Sequence, residues 1–260
     1  MARDFAGGVS TDRIFLNSFT AHAAQRTYAL WVLRQSAGGG NFGRMFDKDN
    51  AELLFQANPT TSYTFGARWS GATGLQWYWA RPAQDVWVHV CVTYDNNSVS
   101  NDPKMYYDAV DQGAPTEEGG PPSGSPTTNA NVYVLGNRDP GTDRAWDGYL
   151  AEWVVYNRVL TPNEVGILYV AGPSALPYNP AHYLPTFGVT TPEPDWSGNG
   201  FIGQITGTTR VDHPPRISAY RALPRLVWRD FQANNNLRRS IRGTRGIYLR
   251  TLPAPDGVIS

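Results

Sequence analysis

Val86-Trp87-Val88-His89-Val90-Cys91-Val92-Thr93-Tyr94 is the longest and most apolar run in this 260-residue chain. β-Branched and aromatic side chains at this density suit a pleated strand, and the near-continuous apolarity suits one covered on both faces. The run is read as a central strand. Shorter runs of the same kind flank it. Upstream lie Arg26-Thr27-Tyr28-Ala29-Leu30-Trp31-Val32-Leu33, Ala51 to Gln56, Tyr63 to Trp69 and Leu75 to Trp79. Downstream lie Lys104 to Val110, Asn131 to Leu135 and Tyr149 to Tyr156. Turn signals such as Ser36-Ala37-Gly38-Gly39-Gly40 and Ser70-Gly71 separate them, which predicts an antiparallel sandwich or barrel rather than βαβ units.

Composition agrees. Aromatic residues make up 13% of the chain, with 26 glycines and 20 prolines. Cys91 is the only cysteine, so an intramolecular disulfide is excluded and a small buried side chain is expected. Residues 1–15 hold Arg3, Asp4, Asp12 and Arg13 and no apolar core of a leader peptide, so none is expected. No apolar run is long enough to predict a membrane helix.

Formal net charge is zero, but its distribution is uneven. Residues 1–209 carry a net of −7, and residues 210–260, with ten Arg, no Lys and three Asp, carry +7. That asymmetry bears on partners rather than on fold.

One helix is expected, at Thr161-Pro162-Asn163-Glu164-Val165-Gly166-Ile167-Leu168-Tyr169. Thr161 can cap it, Pro162 suits its first turn and Glu164 completes a capping box, while Gly172-Pro173 stops it. Asp111 to Ala130 is rich in Pro, Gly, Ser and Thr and is expected as an exposed excursion. Beyond Pro173 prolines crowd the chain, yet Tyr178, Tyr183, Phe187, Trp196 and Phe201 are too aromatic for an idle linker. The expected organisation is a sandwich over 1–172, with one short helix, and an extended Pro/Arg-rich C-terminal arm with short strands over 173–260.

Several of these segments resemble one family. Trp87-Val88-His89-Val90, Tyr106-Tyr107-Asp108, Val134-Leu135-Gly136-Asn137 and the stretch from Trp146-Asp147-Gly148-Tyr149-Leu150 to Leu160-Thr161 are similar to the laminin-G-like, concanavalin-like jelly roll. Tyr28 to Val32 and Gly43-Arg44-Met45-Phe46-Asp47-Lys48 resemble its earlier strands, so the similarity covers roughly residues 10–172. It implies an all-β, two-sheet antiparallel jelly-roll sandwich. The tail, with Tyr183-Leu184-Pro185, Glu193-Pro194-Asp195-Trp196-Ser197-Gly198-Asn199-Gly200 and Asp212-His213-Pro214-Pro215, resembles the extension found after such jelly rolls in bacteriophage structural proteins. In ordinary members an Asp-x-Ser-Gly-Asn-Gly element precedes the sandwich. Here it follows, which leaves open a permuted strand or an independent turn.

Strand-borne acids are isolated, as with Glu52, Asp108 and Glu152, so the paired carboxylates of a glycosidase are missing and no enzyme is expected. His22, His89, His182 and His213 lack zinc spacing. Asp139, Asp143 and Asp147 form a weak calcium candidate, set against a solvated turn neutralised by Arg138 and Arg144; Asp47 and Asp49 form a weaker one. No other cofactor is expected. Trp69, beside Ser70-Gly71, and Tyr78, between the inward-alternating Trp77 and Trp79, are the candidate glycan platforms. In the arm, Trp196, Phe201, Arg225, Trp228, Arg238, Arg239, Arg242 and Arg245 are the candidate protein-contacting residues. Nucleic acid and membrane are not expected as partners.

The leading expectation is therefore a virion structural protein, a capsid decoration or accessory component made in the host cytoplasm. It would bind copies of itself and a major capsid or other virion protein through the arm. The alternative is a lectin-like, glycan-binding module of an adhesin or surface protein.

Overall fold

The computed structural model describes residues 1–214, apart from 9, 21–22, 58–60, 72–75, 139–140 and 187–190. The N-terminal strands are β1 (Ala2–Ala6), β2 (Arg13–Leu16), β3 (Gln25–Arg34), β4 (Arg44–Asp47) and β5 (Glu52–Ala57). Then come β6 (Ser62–Ala67), β7 (Gln76–Ala80), β8 (Trp87–Asp95), β9 (Lys104–Tyr107), β10 (Val110–Asp111) and β11 (Thr116–Glu118). The chain continues with β12 (Val134–Leu135), β13 (Asp147–Tyr156), helix α1 (Pro162–Ala171), β14 (His182–Leu184), β15 (Gly203–Thr206) and β16 (Thr209–Val211).

Two antiparallel sheets form the sandwich. The first runs β10-β9-β8-β3-β13-β1-β16, with β14 also paired to β13; the second runs β11-β7-β6-β5-β4-β12-β2-β15. The expected all-β jelly-roll sandwich with one short helix is what the chain forms. β8 sits inside the first sheet, between β3 and β9, as its apolarity predicts. Val88, Val90, Val92 and Tyr94 face the second sheet, while Cys91 packs with Val154, Leu160, Val165 and Leu168 beneath α1. Both faces are buried, so the run does not alternate in polarity. The helix carries the expected capping box between Thr161 and Glu164.

Leu30, Val32, Leu150 and Trp153 from one sheet meet Phe46, Leu54, Phe65 and Trp77 from the other. Within this apolar layer lies a buried polar knot. Arg26 on β3 pairs with Glu52 on β5, and Glu52 also accepts hydrogen bonds from Tyr28 and Tyr133. The Arg26 guanidinium also donates to the carbonyls of Ala23 and Ala24 at 3.0 Å each. Burial works against the charge of Arg26, but the Glu52 carboxylate together with Tyr28 and Tyr133 outweighs it and holds the guanidinium protonated.

The described part of the stretch expected as an arm, up to residue 214, contributes strands to both sheets. β14 joins β13, β15 joins β2 and β16 joins β1. Arg3 on β1 reaches Glu193 at 2.8 Å with both side chains buried, and His213 Nε2 lies 2.8 Å from Glu152. Prolines between the strands break the ladder without preventing three-residue pairings. The Asp111–Ala130 excursion carries β11 and a bridge from Pro126 to Trp69, so it has more to pack than its composition suggests. Among the described residues no helix is long and apolar enough to cross a membrane.

Two expected outcomes test this architecture. Removing one partner of a buried pair strands the other, so Glu52→Ala should cost about 3–5 kcal/mol in urea unfolding; a loss below 1 kcal/mol would show that the knot does not hold the sheets. His89 is buried against Trp31 and Tyr169, and burial lowers its pKa from 6.5 to about 4, with Glu152 opposing. Because the folded pKa is depressed, the unfolded chain protonates first as pH falls. Stability from this group is full above 6.5 and is lost toward pH 4, by roughly 3 kcal/mol. A His89→Asn variant, compared across that window, should lack this component of the loss.

Candidate functional site

An open groove of about 780 Å³ lies where the edge strands of the two sheets approach each other. Its walls are the end of β8 (Thr93, Tyr94, Asp95), the β8–β9 link (Ser100, Asn101, Asp102, Pro103), Lys104, Asp111 and residues 113–115. Gln25 and Val159 complete it. The 112–115 segment carries the chain from β10, the edge of one sheet, to β11, the edge of the other.

Local chemistry shapes these walls. Asp95 starts a tight turn by accepting from the backbone and side-chain nitrogens of Asn97 at 3.0 and 2.7 Å, and from Gln25 at 2.9 Å. Partial burial pushes its pKa up, but these hydrogen bonds prevail and hold the carboxyl below its ordinary value. Two core tryptophans anchor the rest. Trp77 donates its indole N–H to Asp102 at 3.0 Å, and Trp79 donates to the carbonyl of Gly113 at 3.1 Å. Inward alternation on β7 therefore does two things: the rings fill the core, and their polar edges pin both sides of the groove. Lys104 and Asp111 approach to 4.0 Å at the rim and remain 62% and 42% exposed.

The groove thus offers carboxylate acceptors, an amide and an ammonium donor on a fixed frame. That suits a ligand rich in hydroxyl groups. It does not suit hydrolysis. Asp95 is held ionised and engaged, and Asp102 is engaged by an indole. Away from the groove, burial raises Asp47 to about 6 and lowers Arg44 to about 10, but these two pair with each other at 3.2 Å inside the protein. Glu52 is sealed behind Arg26, Tyr28 and Tyr133. Strand acids locked in this way cannot serve as a solvent-facing acid–nucleophile pair.

Trp69 is not an exposed platform; it is 2% exposed, its N–H bonded to Tyr94 at 3.0 Å. The bridge to Pro126 closes the loop edge on which exposure was expected and turns the ring into the core. Tyr78 is half-buried on the outward face of β7, in register with Thr64 and Thr116. Trp196 is 58% exposed, whereas Phe201 packs on Phe19 and His182. Arg225, Trp228, Arg238, Arg239, Arg242 and Arg245 lie outside the described residues.

Of the calcium candidates, Asp139 also lies outside the described residues. Asp143 is held by Arg138 at 2.7 Å and Arg144 at 3.7 Å, and Asp147 opens β13. Asp49 accepts from Asn131 at 2.7 Å. Among the described residues no group of three or more His, Cys, Asp or Glu side chains is placed to hold a metal ion. The groove residues Gln25, Asp95, Asn101, Asp102, Lys104 and Asp111 were not singled out from sequence. Their only trace there is turn chemistry, the polar run Asp95-Asn96-Asn97-Ser98 and the triplet Asn101-Asp102-Pro103.

Residues 7–166 match the family model described as the concanavalin A-like lectin/glucanases superfamily. A search of curated proteins found no match. Among solved structures, a candidate carbohydrate-binding protein from Bacteroides ovatus ATCC 8483 is similar with a TM-score of 0.60 and 16% identity, over 83% of this chain and 61% of its own. The chain thus spans about three fifths of that protein's length. The native heptameric SAP-like pentraxin of Limulus polyphemus has a TM-score of 0.50 and 15% identity, over 65% of this chain and 81% of its own. At these identities the likeness is one of fold. The expectation of a capsid decoration or other virion protein is corrected by these findings. Neither the family description nor these neighbours is a virion component, and the virion location, the capsid partner and the bacteriophage tie fall with that expectation.

Proposed function

This chain belongs to the concanavalin A-like lectin/glucanases superfamily, and from that membership we propose that it is a lectin-like, carbohydrate-binding module whose ligand lies in the groove between the sheet edges. The observation that carries the reading is the groove's lining: Asp95, Asn101, Asp102, Lys104 and Asp111 around one open volume of about 780 Å³. A sugar presents vicinal hydroxyls that both donate and accept. Carboxylates take the donated protons, and ammonium and amide groups supply the return bonds. Rigidity adds to this, because Asp102 and the backbone at Gly113 are tied to core indoles, so little loop ordering opposes binding.

Tyr78 extends the reading. It is paired with Thr116, the residue after the groove's Pro115. A chain of sugars leaving the groove across β11 would meet the tyrosine ring. The description of the Bacteroides ovatus protein as a candidate carbohydrate binder supports the same ligand class.

The test is a glycan array followed by titration of the best ligand. Lys104→Ala/Asp111→Ala should weaken binding at least tenfold, since hydrogen bonds to charged groups each contribute about 1.5–3 kcal/mol. Its melting temperature should match the parent, because the pair is exposed at the rim. Unchanged affinity in the double variant would remove the groove from the reading, and an array without signal would remove the reading itself.

A further inference from the structure

Charge in the groove is unbalanced. Asp95, Asp102 and Asp111 line it against a single ammonium, that of Lys104, so its lining carries a net of −2. Two of the three carboxylates keep an oxygen to spare. Asp102 Oδ1 accepts from the Trp77 indole at 3.0 Å, and Asp111 Oδ1 accepts from the Gly113 nitrogen at 2.8 Å. Among the described residues nothing donates a hydrogen bond to Oδ2 of Asp102. Oδ2 of Asp111 has only the Lys104 ammonium, at 4.0 Å, beyond hydrogen-bond length. Both aspartates are exposed to solvent.

The fold does not call for this charge. Asp95 accepts from Asn97 and Gln25, Asp102 from an indole and Asp111 from a backbone nitrogen. A side-chain amide oxygen accepts such bonds as well, and Asn serves beside Asp in turns of this kind. What the acids add is a negative field, concentrated in a recess between protein walls. Neighbouring cations do not cancel it. Arg26 acts on Asp95 from below, but it is paired with Glu52; Arg158, beside Val159 of the lining, is paired with Glu164 at 3.2 Å. Residues 1–209 carry −7 overall, so the surrounding body has the same sign.

Sugars differ in how they meet such a field. A uronate or sulfated sugar brings like charge into the recess and is repelled. A neutral sugar offers hydroxyl donors. A sugar with a free amine offers three N–H donors and a positive charge at one ring position, and a hydrogen bond between ions is roughly twice as strong as one between neutral groups. N-Acetylation leaves a single N–H and removes the charge. The spare oxygens stand on separate walls, Asp102 on the β8–β9 link and Asp111 on β10, so amines on different sugar units of one chain can each find an acceptor.

Resting on the carbohydrate reading above, we infer that the groove selects glycans that carry free amino sugars, with Asp102 and Asp111 as the residues that set this preference and Lys104 as the one that limits it. The selectivity is electrostatic, so it weakens with added salt. At 1 M salt charges are screened beyond about 3 Å.

The experiment titrates the full chain with a glucosamine oligomer, its fully N-acetylated counterpart and a galacturonate oligomer of equal length. At low salt the glucosamine oligomer should bind at least about fivefold tighter than the N-acetylated one, and the galacturonate more weakly than either. At 1 M salt the first two affinities should converge. Asp102→Asn/Asp111→Asn keeps both Oδ1 acceptors and brings the lining to zero net charge; its ratio of the two affinities should fall to about one. Lys104→Gln, which deepens the charge to −3, should raise that ratio. Opposite movements of one ratio are not expected from a structural effect, and the salt series on the unaltered chain decides the matter if a variant folds poorly. Equal or tighter binding of the N-acetylated oligomer would overturn the preference and leave the carbohydrate reading standing. So would an array on which other glycans bind and neither of these two oligomers does. A ratio unmoved by both variants would overturn the roles of these three residues. An absence of binding to every glycan, charged or neutral, would overturn the carbohydrate reading itself and the preference with it.

Discussion

The ion pair between Arg26 and Glu52 is the constraint around which the sandwich is arranged. It crosses from β3 to β5, hence from one sheet to the other, and it does so inside an otherwise apolar layer. Buried charges are tolerated only when neutralised and fully hydrogen-bonded. Tyr28 and Tyr133 satisfy the carboxylate, while the carbonyls of Ala23 and Ala24 satisfy part of the guanidinium. A slip of one residue in β3 or β5 would turn one charge outward and leave the other without its counterpart. Hydrophobic area drives the sheets together, and this knot gives them one register.

The same division of labour recurs toward the surface. Trp77 and Trp79 fill the core with their rings, and their N–H groups leave it to hold Asp102 and Gly113. Asp195 does for the opposite edge what those indoles do for the groove, gathering four donors so that one turn has one shape. The groove loops are thus fixed by buried indoles, the arrangement that allows a β-sandwich to bind without a large ordering cost.

The sequence makes the central strands and the helix legible because their signals are local. Val86 to Tyr94 is apolar but for His89 and Thr93, and Thr161, Pro162 and Glu164 spell a capping box within four residues. The fate of Trp69 is not local: it depends on Pro126, more than fifty residues away, crossing over to form a bridge. The stretch after Pro173 misleads for a related reason. Its prolines argue against central strands, yet β14, β15 and β16 need only three or four paired residues each, and the buried contact of Arg3 with Glu193 and the partly buried one of Glu152 with His213 fasten them. The groove is hardest to see, since Gln25, Asp95, Lys104 and Asp111 are ordinary surface residues until the fold brings them together.

The pairing of β1 with β16 and of β2 with β15 sets the order of events in biosynthesis. Strands β1 and β2 have their full set of partners only after residue 211 has left the ribosome. Until then β1 has one neighbour of its two, and the backbone of β2 on that side has none. Closing loops of this length is slow, and an unfinished sheet edge can recruit strands from other chains. Elongation rate and the occupancy of chaperones on the nascent chain should therefore govern how much soluble protein a cell obtains from each message.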